Sequence, residues 1–252
     1  MAESFGSDAD RYDRTRPRYP DAMVDRIVAA SPGRDVLDVG AGTGIVARQF
    51  QAAGCTVLGV EPDTRMAAWA RQRGLDIEEA TFETWAPNGR EFDAVVAGQA
   101  WHWVDPVAGA AKAVEVLRPS GRLAVFWNVF EPPPELAEAF AAVSRRVVPD
   151  RPMLGKVQPA LALYAPGFAK TVEGMRQAGA FGEPEQWRYE WDRDYRKDEW
   201  LDQLPTFGGF SQLPPATQEE LRAGTSAAID AVGGNFTVHY TSVVVTAAVS
   251  AD

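Results

Sequence analysis

The sequence has a single cysteine, Cys55, among its 252 residues, and it has only two histidines. One cysteine excludes an internal disulfide and a cysteine-based zinc cluster. The chain also lacks a His-Glu-x-x-His pair, a Gly-x-Ser-x-Gly elbow and a Walker-type lysine loop. These absences favour a chemistry that needs neither a metal ion nor a covalent nucleophile, so no metal ligands are predicted.

Positive charge and long apolar runs are also scarce. There are 35 acidic against 25 basic residues, which gives a net charge of −10 and argues against nucleic acid as a partner. A local basic patch at Arg11, Arg14, Arg16 and Arg18 is still compatible with this balance. No uncharged run approaches the roughly 18 residues of a membrane span. Residues 1–6 show no signal-peptide pattern, so we expect a cytoplasmic protein without a membrane partner.

The first half of the chain alternates between short apolar runs and segments with helical spacing. Strands are predicted at 35–39, 56–60, around Ile77, at 92–97 and at 122–127. Such alternation predicts an α/β fold with a parallel sheet, whose ligands bind beyond the carboxyl ends of the strands. The size fits one domain over residues 1–252.

The second half is less regular. Strands are predicted at 187–191 and 236–247, and a helix near 167–179. We interpret residues 130–165 and 195–232 as helical insertions that cover a substrate. The polar segment 1–19 carries few apolar anchors and is treated as a separate N-terminal segment.

The most informative motif is the run Asp-Val-Leu-Asp-Val-Gly-Ala-Gly-Thr-Gly at residues 35–44. A strand ends there in a glycine-rich turn that opens a helix, and the helix start offers unpaired N–H groups to a ligand. The spacing of Gly40, Gly42 and Gly44 is G-x-G-x-G, whereas a dinucleotide fingerprint is G-x-G-x-x-G. Asp38, two residues before the first glycine, would repel a pyrophosphate but would suit a cofactor with a positively charged amino-acid end.

A second acid follows at the end of the next predicted strand. Glu61 lies 61 − 40 = 21 residues after Gly40, close to the roughly 20 expected for an acid that holds a ribose diol. This pair of strand ends resembles the class I S-adenosylmethionine-dependent methyltransferases. The resemblance implies a Rossmann-like, seven-stranded, mostly parallel sheet with an antiparallel last strand, helices on both faces, and S-adenosyl-L-methionine as cofactor.

Two further blocks resemble small-molecule methyltransferases related to trans-aconitate methyltransferase. Gln-Ala-Trp-His-Trp at 99–103 matches "aqAfHWfd", and residues 12–20 match "YdrfRPgYP". The turn at 117–121 resembles "LrPGG", with Ser120 in place of a glycine. By this resemblance segment 1–19 covers the cofactor, and the cofactor-binding residues are Tyr12, Arg16, Tyr19, Asp38, Gly40, Ala41, Gly42, Gly44, Glu61, Pro62, Met66, Thr81, Phe82, Glu83, Gln99 and Ala100.

His102 is the one predicted catalytic residue, because an imidazole can position an oxygen nucleophile or remove its proton near neutral pH. The resulting prediction is methyl transfer to a small-molecule carboxylate or hydroxyl. Two alternatives stay open: a non-catalytic cofactor-binding or interaction module on the same fold, and a nicotinamide-dependent oxidoreductase. The oxidoreductase would need a dinucleotide loop and a proton relay, neither of which is apparent in the sequence.

Overall fold

A computed structural model describes residues 8–151 and 157–250 of the protein. The predictions made for residues 1–6, and the part of the 130–165 insertion at 152–156, lie outside these residues. No helix within the described ranges is long and apolar enough to span a bilayer.

The described residues form one seven-stranded sheet, with strand order β3-β2-β1-β4-β5-β7-β6. The first five strands pair in parallel, and β7 pairs antiparallel with both β5 and β6. The predicted fold is therefore confirmed, including the antiparallel last strand. The strands are β1 (Asp35–Val39), β2 (Thr56–Val60), β3 (Asp76–Glu78), β4 (Phe92–Gly98), β5 (Leu117–Glu131), β6 (Glu185–Arg196) and β7 (Asn235–Ala248).

Helices pack on both faces of the sheet because its central strands are apolar on both sides. Side chains of α2, α3 and α4 join the buried cluster on one face, and side chains of α5 and α7 join the cluster on the other. The helices of the described residues are α1 (Ala9–Thr15), α2 (Asp21–Ala29), α3 (Ile45–Ala52), α4 (Thr64–Arg71), α5 (Pro106–Val116), α6 (Pro134–Val147), α7 (Ala160–Ala178), α8 (Lys197–Gln203) and α9 (Pro215–Ala231).

A third apolar cluster lies beyond the sheet, among α6, α8, α9 and the start of β7. Its buried aromatic members include Tyr195, Trp200, Phe236 and Tyr240. Their rings pack edge to face or stacked, with Tyr195 and Trp200 centroids 5.0 Å apart. This cluster is called the cover below, since it is built from the two segments 130–165 and 195–232 and the strands next to them.

Several elements are longer than their sequence pattern suggests. Helix α7 begins at Ala160 and continues through Pro166, although the proline favours a boundary there. Strand β5 begins at Leu117, and its Ser120 has φ +62°, the left-handed region in which the resembled motif has a glycine. The N-terminal segment is not a plain tail, since Asp8 caps α1 by accepting a hydrogen bond from the Arg11 N–H.

Candidate active site

A cavity of about 740 Å³ opens at the carboxyl ends of β1, β2, β4 and β5. This is the edge at which open parallel sheets bind their ligands. Asp38 and Gly44 are not among its lining residues. The other predicted site residues all line it, namely Tyr12, Arg16, Tyr19, Gly40, Ala41, Gly42, Glu61, Pro62, Met66, Thr81, Phe82, Glu83, Gln99, Ala100 and His102.

The glycine loop forms one wall of the cavity. The N–H groups of Gly40 and Ala41 both donate to the Val60 carbonyl, at 2.8 and 3.1 Å, which holds the loop against the end of β2. Gly40 has φ +67°, and a Cβ on it would lie 2.4 Å from the Ala100 Cβ. The backbone therefore approaches the strand-β4 loop more closely than any residue with a side chain would allow.

Glu61 connects the two strand ends. Its carboxylate accepts hydrogen bonds from the Gly42 N–H at 2.7 Å and from the Asp63 N–H at 2.8 Å. Glu61 is 5% exposed, and this burial raises the pKa of its carboxyl group. A carboxylate has lone pairs for about four donors, so Glu61 retains capacity for the hydroxyl groups of a ligand.

Asp38 lies behind the loop rather than on the cavity wall. It is 1% exposed, and neither of its carboxylate oxygens accepts a hydrogen bond of ordinary geometry, although the nearby Ala47 N–H slightly opposes the rise of its pKa. Burial first, and the neighbouring Glu61 carboxylate second, raise the pKa of Asp38 to about 8. A buried acid without such a hydrogen bond, beside a second acid, creates a site that is stabilised by a nearby positive charge.

The N-terminal segment closes the cavity from one side and joins it to the cover. Arg16 donates to the Thr206 carbonyl, and its guanidinium lies 5.1 Å from the ring centroids of both Tyr12 and Phe207. Tyr19 is buried and packs edge-on against Phe126 at 4.7 Å. Segment 8–19 is thus held over the strand ends by specific contacts.

The loop after β4 supplies the candidate base. His102 lies in the short 3-10 turn Trp101–Trp103, with its ring 4.7 Å from that of Trp103. Although its side chain still meets solvent, partial burial lowers the pKa of His102. The imidazole is therefore neutral at pH 7 and can accept a proton. Gln99, just before the turn, has φ +54°, a strained value for a non-glycine residue.

Glu83 is less free than the sequence suggests. One of its carboxylate oxygens accepts a hydrogen bond from the Asp105 N–H at 3.1 Å, so this side chain also fixes the start of α5. Phe82 beside it is 3% exposed and lies 6.1 Å from Trp101 in the core.

Further lining residues were not predicted from the sequence. Thr43 belongs to the glycine motif, and its hydroxyl is buried without a partner, so the motif itself could have indicated it. Five more lining residues come from the cover or the elements next to it and carry no local motif: Phe130, Tyr164, Gln203, Phe207 and Tyr240.

Comparison with known proteins agrees with this geometry. Residues 37–125 match the family model described as "Methyltransferase domain". The matched segment contains the glycine loop, Glu61 and His102, and it ends within β5.

Curated relatives align with little more than half of the chain. An uncharacterized methyltransferase of Mycobacterium tuberculosis is 39% identical over 133 residues, which are 51% of this chain and 53% of that protein. A malonyl-[acyl-carrier protein] O-methyltransferase of Enterobacter lignolyticus is 31% identical over 152 residues, 58% of this chain and 60% of that protein. The chain thus spans little more than half the length of the curated relatives that it matches.

Solved structures extend the likeness of fold to the whole chain. A type II methyltransferase structure from Anaeromyxobacter dehalogenans superposes with a TM-score of 0.67 at 22% identity, covering 94% of this chain and 99% of that one. A Haemonchus contortus phosphoethanolamine N-methyltransferase 2, solved with S-adenosyl-L-methionine, superposes with a TM-score of 0.54 at 15% identity. The superposition covers 99% of this chain and 60% of that one. The family match and the curated relatives thus make about half of the chain similar to methyltransferases, and the solved structures extend the likeness of fold to the rest.

Proposed function

We propose that the protein transfers the methyl group of S-adenosylmethionine to an oxygen atom of a small-molecule acceptor. The observation that carries this proposal is the buried acidic pair behind and beside the glycine loop. Asp38 is buried without a hydrogen bond of ordinary geometry, and Glu61 is presented to the cavity by two backbone N–H groups. Together they suit a ligand that has a cationic end and a ribose diol.

The described residues fit this cofactor at several points. Glu61 would accept hydrogen bonds from the ribose hydroxyls, and Asp38 would balance the positive charge of the methionine end. Arg16 would pair with the carboxylate of the cofactor, since the Nε of its guanidinium is buried without a partner. The loop at Thr81, Phe82 and Glu83 would meet the adenine ring.

S-adenosylmethionine supplies a methyl group on a sulfonium, which leaves as a neutral thioether. The work of the protein is then to align the acceptor oxygen and to exclude water. The N-terminal segment and the cover enclose the cavity for this purpose. Neutral His102 at its rim would take the proton of a hydroxyl acceptor, whereas a carboxylate acceptor would need no base.

The charge of the cavity argues against a dinucleotide. Among the described lining residues, Arg16 is the one Lys or Arg, while Glu61, Asp63 and Glu83 are acids. Asp63 already pairs with Arg65 at 3.1 Å, so a pyrophosphate would meet the Glu61 and Glu83 carboxylates with Arg16 as the one cation among the described lining residues. A nicotinamide-dependent oxidoreductase is therefore disfavoured. A non-catalytic cofactor-binding module on the same fold remains the second candidate, because fold alone does not fix activity.

A small molecule is favoured as acceptor because the net charge of −10 disfavours nucleic acid. The malonyl-[acyl-carrier protein] O-methyltransferase, at 31% identity, supports an oxygen atom as the methyl acceptor more strongly than the N-methyltransferase structure, at 15% identity, supports a nitrogen atom. We further propose that segment 1–19 covers the cofactor, that segments 130–165 and 195–232 cover the acceptor within a single domain 1–252, and that the protein acts in the cytoplasm.

Turnover with labelled cofactor tests the proposal. The purified protein is incubated with methyl-labelled S-adenosylmethionine and a panel of small hydroxyl and carboxylate compounds, and labelled product is separated and counted. We expect transfer to at least one class, and its loss in the variant Glu61→Gln. Tight cofactor binding without transfer to any compound would favour the non-catalytic module instead.

A further inference from the structure

The part of the cavity beyond the cofactor loops has aromatic walls. Phe130 and Phe207 stack there with centroids 5.8 Å apart and an interplanar angle of 12°. The Tyr240 ring stacks on the Trp191 ring with centroids 4.3 Å apart, and the centroids of the Tyr164 and Phe168 rings are 6.2 Å apart. Flat, rigid ring faces favour a flat ligand, because stacked or edge-on rings gain more than area burial alone.

One polar side chain in this region has an unmet hydrogen-bonding requirement. Gln203, the last residue of α8, lines the cavity and is 2% exposed. Its Oε1 atom is buried without a partner. A buried amide oxygen without a donor costs free energy, and a ligand that donates a hydrogen bond to it would recover that cost.

The position of the Gln203 amide is held by its neighbours. The hydroxyl groups of Tyr195 and Tyr240 lie 2.7 Å apart, and the Gln203 side chain is hydrogen-bonded to Tyr195. The Thr206 hydroxyl donates to the Gln203 carbonyl at 2.6 Å, which fixes the backbone at the end of α8. The unpartnered oxygen is thus held in place by neighbours that order both its side chain and its backbone.

The same region offers little to an anion. Arg16, the one Lys or Arg among the described lining residues, is held between the Tyr12 and Phe207 rings and already donates to the Thr206 carbonyl. In the proposed function its remaining donors serve the cofactor carboxylate. A carboxylate or phosphate on the acceptor would be buried there without a counter-ion.

We propose that the acceptor is an uncharged, planar aromatic compound that carries a reacting hydroxyl and a second hydrogen-bond donor recognised by Gln203. This inference rests on the proposed function and narrows its acceptor from carboxylate or hydroxyl to an aromatic hydroxyl. The hydroxyl oxygen forms the new bond to the methyl carbon as the carbon–sulfur bond breaks. Its proton passes to His102 and then to solvent, and the electron pair of the broken bond stays on the neutral thioether.

Binding to the protein saturated with S-adenosylhomocysteine tests this without requiring turnover. The probes are 2,7-dihydroxynaphthalene, 2-naphthol, which lacks the second donor, and 2-naphthoate, which carries a charge. We expect the diol to bind at least tenfold more tightly than 2-naphthol and 2-naphthoate. A site built to accept a hydrogen bond rejects an analogue that lacks the donor.

Three variants assign the preference to Gln203. Gln203→Met keeps the length and volume of the side chain and should make the diol and 2-naphthol bind equally. Gln203→Glu keeps an acceptor oxygen and should restore the preference. Gln177→Met, on the exposed surface of α7, is the control and should behave as wild type.

The outcomes separate this inference from the proposed function. Equal binding of diol and 2-naphthol to wild type, tighter binding of 2-naphthoate, or no binding of any naphthalene probe would overturn the aromatic-hydroxyl acceptor. Each of these results would leave the methyltransferase proposal intact, provided that S-adenosylhomocysteine binds. Failure of S-adenosylhomocysteine itself to bind would overturn both.

Discussion

Replacing Asp38 by asparagine should change how the stability of the protein depends on pH. The pKa of the Asp38 carboxyl rises from its ordinary value of 3.8 to about 8 in the folded chain. Between these two values the folded protein holds a proton on Asp38 that the unfolded chain has lost. The folded state therefore loses stability as pH rises through this window, by about 1.4 kcal/mol per pH unit. Above pH 8 the cost is constant, and below pH 3.8 it disappears.

The magnitude at neutral pH follows from the same shift. At pH 7 the buried carboxyl costs the folded state about 4 kcal/mol, and at pH 5 about 2 kcal/mol. Asparagine has nearly the same shape and does not titrate in this range. Any constant effect of its amide is the same at both pH values, so the stability of Asp38→Asn relative to wild type should increase by about 3 kcal/mol from pH 5 to pH 7.

Urea unfolding of the ligand-free protein measures this difference. A change of about 3 kcal/mol moves the midpoint by roughly 1 M or more. Asp76→Asn removes an exposed carboxyl from β3 and is the matched control, whose curves should follow those of wild type at both pH values. If the difference in free energy of unfolding between Asp38→Asn and wild type stays the same from pH 5 to pH 8, Asp38 is not protonated in the folded protein.

Ligand binding should reverse the protonation of Asp38. A positive charge placed near this residue favours the ionised carboxylate, so S-adenosylmethionine should release a proton when it binds at pH 7. Calorimetric titration in two buffers of different ionisation enthalpy measures that release. Asp38→Asn should bind the cofactor with no such dependence on buffer, and an equal dependence in both proteins would assign the proton to another group.

Three further predictions concern the rest of the site. Glu61→Gln keeps one acceptor oxygen but turns the NH₂ group of its amide, a donor, towards a backbone N–H, so S-adenosylhomocysteine should bind roughly 10- to 100-fold more weakly. An affinity equal to that of the control Glu79→Gln would refute the assignment. Gly40→Ala should destabilise the protein more than Gly74→Ala, because Gly74 also has a positive φ but a Cβ on it would meet nothing within 4 Å. Of these two variants, only Gly40→Ala should weaken S-adenosylhomocysteine binding, by at least tenfold. Equal effects of both variants in urea unfolding and in titration would refute the predicted clash at Gly40. Because burial lowers the pKa of His102, turnover of a hydroxyl acceptor should fall with decreasing pH only below about 6.5. His102→Ala should lower kcat by roughly 100-fold or more and abolish this fall at acidic pH. An unchanged pH profile in the variant would exclude His102 as the base.

The cofactor-binding residues can be predicted from the sequence because they lie at strand ends. The ends of β1 and β2 are defined by local apolar patterns, and parallel strands bring their carboxyl ends to one edge of the sheet. Asp38 and Glu61 can therefore be placed near each other from spacing alone. What spacing does not show is that Asp38 lies behind the loop without a hydrogen bond of ordinary geometry, since its burial depends on packing by residues far away in the chain.

The residues that line the acceptor part of the cavity cannot be predicted in the same way. Gln203 and Phe207 lie in a segment without a local motif, and they reach the cavity only because α8 packs on β6 and the aromatic cluster of the cover. Tyr240 belongs to a strand that is easily predicted, but its ring faces this region only through the antiparallel register of β7 against β5. These positions depend on contacts between residues distant in sequence, which a local pattern does not encode.

We infer that the cavity at the strand ends binds S-adenosylmethionine. Calorimetric titration of the purified protein with S-adenosylhomocysteine, and with NAD⁺ and NADH as controls, tests it most directly. We expect micromolar binding of S-adenosylhomocysteine, weaker binding in Glu61→Gln, and no binding of the nicotinamide cofactors. Binding of NAD⁺ or NADH in place of S-adenosylhomocysteine would contradict it.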